Sequence, residues 1–128
     1  MGWEQSYRQN GSDVVKHTFE WVSDSGGAAT VPSLVAVSGA IARVVFIPDA
    51  NAPTDNYDVT LTDSDGIDVL SGQGANLDTA VASSVCPGIP LTDGTSVSIL
   101  LTVVDSILTL NVTNAGDSNA GKVVVYVR

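Results

Sequence analysis

The segment VVKHTFEWV, residues 14–22, alternates strictly: Val15, His17, Phe19 and Trp21 share one side, and Lys16, Thr18 and Glu20 share the other. A period of two is the signature of an extended strand with one buried face, because successive side chains leave a pleated backbone in opposite directions. YDVTLT, residues 57–62, repeats the pattern, with Tyr57, Val59 and Leu61 inward and Asp58, Thr60 and Thr62 outward. In GKVVVYVR, residues 121–128, Val123, Val125 and Val127 occupy one face and Val124 and Tyr126 the other. That strand is apolar on both sides, so it lies deep in a sheet or meets a partner. Composition agrees: 20 Val, 11 Thr and 6 Ile make 37 β-branched residues in 128, and branching at Cβ favours pleated backbone over helix.

The intervening chain fits the same class. LVAVSGAIARVVFI, residues 34–47, is apolar on both faces except at Arg43 and predicts a central strand bent at Gly39. In TSVSILLTVVDSILTLNVTN, residues 95–114, a two-residue turn at Asp105-Ser106 pairs Val103 with Leu108, Leu101 with Leu110 and Ile99 with Val112, and sets Thr102 against Thr109. Every pair matches in polarity, which predicts a hairpin in that register. Residues 71–94 show no sustained strand period; Leu77, Val81 and Val85 after Asn76 admit a short helix. Residues 1–13, polar apart from Trp3 and Tyr7, read as an N-terminal arm. The expected architecture is therefore all-β: a β-sandwich or jelly-roll-like fold of about seven strands over 14–128, with that arm and one long irregular segment.

Charge narrows the functions open to such a fold. Five Lys/Arg against 14 Asp/Glu give a net charge of −9, and 12 of the acids are Asp, a residue of turns rather than of helix faces. The sequence lacks the Lys/Arg clusters that a nucleic-acid phosphate backbone requires, and it has no apolar run of membrane-spanning length. Cys86 is the single cysteine, which rules out an intrachain disulfide. MGWEQSYRQNGSD carries neither the basic nor the apolar region of a secretory signal. A surface-like Ser/Thr/Asp/Gly composition without an export route is expected of a protein assembled into a virus particle inside the host cytoplasm.

Catalytic chemistry finds little purchase. His17 is the only histidine and stands mid-strand beside Phe19 and Trp21, the setting of a packed histidine. Cys86 has no second histidine to activate it, and no nucleophile elbow, phosphate loop, dinucleotide fingerprint or zinc ligand set is present. No cofactor is expected. The weak metal candidates are Asp63, Asp65 and Asp68 in LTDSDGIDVL, residues 61–70, three carboxylates whose order is not that of an EF-hand loop. A two-residue turn at Asp65-Gly66 would set Asp63 against Asp68, a like-charge pair. A three-residue loop, Ser64-Asp65-Gly66 with Gly66 left-handed, instead sets Leu61 against Val69 and Thr62 against Asp68. The stretch thus predicts a hairpin loop with solvated aspartates.

GAIARVVFIPDANAPTDNYDVTLTDSDGIDVL (39–70), GANLDT and the closing NVTNAGDSNAGKVVVYV resemble small structural proteins of tailed bacteriophages. The resemblance rests on Pro48, Pro53-Thr54, Tyr57-Asp58, Asp65-Gly66, Asp68 and the Asn114-Ala115-Gly116 turn, and it covers about 90 residues. It implies a role in head decoration, head–tail joining or the tail, with no enzymatic residues to carry over. The expected function is a capsid decoration protein acting as a homo-oligomer on the major capsid protein, with neck or tail proteins as the alternative partners. Trp3, Tyr7, Val124 and Tyr126 are the expected interface residues, since aromatic anchors dominate interface energetics. A carbohydrate-binding module is the reading from another class; it requires exposed aromatics.

Overall fold

The computed structural model describes residues 2–8, 13–88, 93 and 101–128. Nine strands occur among them: β1 Gly2–Arg8, β2 Val15–Val22, β3 Ala29–Pro32, β4 Val37–Pro48, β5 Asp58–Thr62, β6 Ser83–Val85, β7 Thr102–Ser106, β8 Thr109–Thr113 and β9 Ala120–Val127. They form two antiparallel sheets. The larger runs β1-β2-β9-β4-β6, with β7 also on β4, and the smaller runs β3-β8-β5. The all-β class and the sandwich arrangement are as the alternation predicts.

The inner faces follow the period of two. Phe19 and Trp21 of β2, Val123, Val125 and Val127 of β9, and Ile41, Val44 and Phe46 of β4 are buried on the larger sheet. Val31 of β3, Val59 and Leu61 of β5, and Leu110 and Val112 of β8 meet them from the smaller one. Trp21 and Tyr57 touch within this core, ring centroids 5.9 Å apart at 43°. β9, apolar on both faces, lies between β2 and β4, the deep position its sequence requires. Gly39 in β4 has φ +129°, and a Cβ there would stand 2.6 Å from the Arg128 carbonyl oxygen. The backbones approach too closely at that point for any side chain.

Four expectations change. First, β7 and β8 are not a hairpin: β7 pairs with β4 (Val37↔Ser106 to Ile41↔Thr102) and β8 pairs with β3 and β5. The polarity match along 95–114 requires only that two segments share a buried side, and facing each other across a sandwich satisfies it as well as lying side by side. Asp105-Ser106 lacks the glycine that a two-residue hairpin turn favours, and the chain crosses between sheets there. The phase of β7 shifts by one with it, leaving Val104 buried and Val103 76% exposed. Ile99 lies outside the described residues. Second, residues 2–8 are an edge strand paired with β2 along its length, not an arm. The inward residue that made this segment look soluble is Glu4, whose carboxylate is buried and satisfied. Its Oε1 accepts from the Leu34 N–H at 2.9 Å and its Oε2 lies 3.3 Å from His17 Nδ1. Third, Asn76 does not cap a helix. Its φ is +55°, Leu77 bridges to Tyr57, and residues 83–85 form β6 against β4. Residues 89–92 and 94 of that segment lie outside the described residues. Fourth, β4 is covered on one face only: Arg43 is exposed, and Val45 and Ile47 are half-buried.

Candidate interaction face

The LTDSDGIDVL loop closes by its own hydrogen bonds. Asp63 N–H donates to the Ile67 carbonyl at 3.0 Å and Val69 N–H to the Leu61 carbonyl at 2.8 Å. Thr62 bridges to Asp68, and Gly66 has φ +80°. This is the three-residue loop in the register the sequence predicts, with the left-handed residue at the glycine. The Asp63 carboxylate accepts from the N–H groups of Asp65 and Ile67, at 2.9 and 3.0 Å. Asp68 accepts from Leu61, Leu70 and Gly72 at 3.0–3.1 Å. Two of the three candidate metal ligands are therefore engaged by backbone donors, and Asp65 stands exposed at the loop tip. Among the described residues no three His, Cys, Asp or Glu side chains converge as a metal site would need.

The other chemistry-bearing residues are dispersed. His17 is buried against Glu4, and Cys86 is an exposed free thiol on the far side of β4 from β9. Tyr57, under the smaller sheet, has its phenol pushed up to about 12, by burial first and by the charge of Asp78 second.

The outer face of the larger sheet is different in kind. Cross-strand register aligns its outward side chains in three rows: Trp3, Glu20, Lys122 and Ile47; Gln5, Thr18, Val124, Val45 and Ser84; and Tyr7, Lys16, Tyr126 and Arg43. All four expected interface residues, Trp3, Tyr7, Val124 and Tyr126, thus fall on this one face. Trp3 is 49% and Tyr7 62% exposed. Val124 is buried yet lies on the outer side and outside the core cluster. Arg43 stacks over the Tyr126 ring with 5.7 Å from its guanidinium carbon to the ring centroid, a contact that orients both groups at the surface. Lys122 and Glu20 approach at 4.0 Å while both remain well exposed, so this pair contributes little to stability. A shallow groove at the Trp3 end is lined by Trp3, Glu20, Val22, Asp49 and Lys122.

Lys16, Arg43 and Lys122 are three of the five basic residues of a chain with net charge −9, and Glu20 is the one acid in the three rows. The three rows thus carry three cations and one acid; a second exposed acid on the same outer side, Asp105 of β7, is paired with Ser38 of β4. Sequence reasoning named the aromatic members of this surface and missed the cations, because they are scattered over more than a hundred positions and meet only through strand register. The available signal was phase: each cation sits on the outward parity of its own strand.

No protein-family model and no curated protein sequence matches the chain. Among solved structures, a sugar phosphate isomerase of the cupin superfamily from Silicibacter pomeroyi aligns over 98% of this chain at 14% identity and a TM-score of 0.32. The chain spans 59% of the length of that protein.

Proposed function

We propose that this protein is a structural component of a tailed-bacteriophage particle, a capsid decoration protein that stabilises the head through subunit contacts. The observation that supports the reading is the outer face of the larger sheet: three aromatic rings and three cations on one flat surface of an otherwise acidic chain. Such a face suits an acidic protein surface, with aromatic area buried at about 25 cal/mol per Å² and the cations setting orientation and encounter. The major capsid protein is the partner this reading assigns, and no catalytic step is involved. Immunogold labelling of purified particles with an antibody against the chain tests it. A regular array over the head is expected. Label confined to the neck or tail moves the role there, and particles free of the chain overturn the virion reading.

The exposure of Trp3 and Tyr7 favours one further reading, a carbohydrate-binding module, since aromatic faces on a flat sheet can stack on sugar rings. A glycan-array signal abolished by Trp3→Ala would establish it in place of the first.

A further inference from the structure

We propose that two copies of this chain join through the β1 edge, pairing antiparallel about a two-fold axis at Gln5. This inference rests on the strand's geometry and holds whether or not the protein belongs to a virion. β1 is the terminal strand of the larger sheet, and among the described residues no strand pairs with its outer side. An open edge presents unpaired backbone donors and acceptors, and proteins that must stay monomeric blunt it with proline, a bulge or outward lysine. Gly2–Arg8 contains neither proline nor lysine, and its register against β2 runs unbroken from Gly2↔Trp21 to Arg8↔Val15. The Glu4 carboxylate is folded under the sheet onto His17 and the Leu34 N–H and does not stand in the way of a pairing strand.

The sequence of the strand selects the register. Opposed residues of an antiparallel pair must point to the same face, so two-fold pairing of this strand centres on Glu4, Gln5 or Ser6. Centring on Glu4 opposes Glu4 to its own copy, a like-charge pair. Centring on Ser6 carries Trp3 past the partner strand and leaves it without a cross-strand aromatic. Centring on Gln5 sets Trp3 against Tyr7 of the second copy, twice by symmetry, and opposes Glu4 to Ser6. The half-exposed rings of both copies then close on one another, which supplies the partner that their exposure of 49% and 62% calls for. A C2 interface of this kind is isologous and closes at two subunits. It also fuses the two outer faces into one continuous aromatic and cationic surface.

The full-length chain with Cys86→Ser, to remove the free thiol, serves as background for the test. Gln5→Cys should give a reductant-reversible covalent dimer on mild oxidation, because opposed Cα atoms of an antiparallel pair lie about 4.5–5.5 Å apart, within disulfide reach. Ser64→Cys, on an exposed loop, should not. Sedimentation velocity should show a dimer of the unmodified chain that Gln5→Lys, a like-charge pair across the axis, weakens at least tenfold with the circular dichroism spectrum unchanged. A chain that sediments as a monomer at ~100 µM, or cross-linking by Gln5→Cys no faster than by Ser64→Cys, overturns the pairing. Faster cross-linking by Ser6→Cys than by Gln5→Cys overturns the register.

Discussion

The two sheets share a core but turn different faces to the outside. The smaller sheet presents Thr30, Asn111 and Thr60 in one row and Pro32, Thr109 and Thr62 in the next. These groups satisfy one another: the Asn111 side-chain N–H donates to Thr62 Oγ1 and to the Thr109 carbonyl, each at 3.2 Å. Apart from Asp58 in the neighbouring row, which accepts from the Asn114 side chain and the Asn76 N–H, these side chains are short and uncharged and make a wall that water covers at little cost. The larger sheet presents Trp3, Tyr7, Tyr126, Lys16, Arg43 and Lys122 at the equivalent positions. Exposed aromatic rings such as Trp3 and Tyr7 are a costly way to face water and an effective way to face a partner. Folding is served by either surface. On the proposed reading, the contrast separates what the fold needs from what the protein presents to a partner.

The contrast breaks if inner and outer positions respond alike to truncation. Phe19→Ala, at a fully buried site opposite Glu4 and Val123, should cost about 3–5 kcal/mol in denaturant unfolding. Glu4→Ala leaves the part-buried Leu34 N–H without its acceptor and the buried His17 without its neighbour; about 1–2 kcal/mol is expected, with β1 amides the first to lose hydrogen-exchange protection. Gly66→Ala meets no steric obstacle, since nothing lies within 4 Å of the added Cβ, so its cost is the left-handed backbone alone, roughly 1–2 kcal/mol. Trp3→Ala, half exposed on the outer face, should change the stability of the folded subunit by no more than about 0.5 kcal/mol. A large loss there would make Trp3 a structural residue and erase the distinction between the faces.

A pH scan sharpens the same division from the inside. The Tyr57 phenol is held protonated by burial, with its folded pKa raised from the ordinary 10.0 to about 12. A raised folded pKa means that the stabilisation is complete below the unfolded value and fades as pH climbs through the folded one. Thermal midpoints should therefore fall between about pH 10 and pH 12, and Tyr57→Phe should remove that component of the decline.

Two stretches in which register can be tested from residues alone show how much of the fold is legible. At 61–69 the polarity match and the turn chemistry agree: Gly66 supplies the left-handed position and Asp63 caps the loop. At 95–114 polarity matching stands alone, and the two segments go to different sheets. Alternation identifies the buried side at β2, β5 and β9, but at β7 the match with 108–112 selects Val103 where Val104 is the buried residue; it does not say whether the complementary side lies beside a strand or across the core. The edge strand is hidden for another reason. The inward carboxylate of Glu4 finds a partner 13 residues away in His17 and another at Leu34, and no local pattern announces such pairing. The cations of the candidate face are illegible for the same cause, since Lys16 and Arg43 join the row of Tyr7 and Tyr126, and Lys122 the row of Trp3, only through register.

On the proposed reading, the larger sheet's outer face, not the smaller one's, meets the partner. Two charge-matched variants test it most directly: Lys16→Gln with Lys122→Gln, and Thr30→Glu with Thr60→Glu, each two charges more negative than the native chain. Their occupancy on particles stripped of the native protein is the quantity to measure. The account predicts that both melt within about 2 °C of the native chain, and that the lysine variant loses at least about tenfold in occupancy affinity while the threonine variant keeps it. Equal binding by the lysine variant, or loss confined to the threonine variant, would contradict the account.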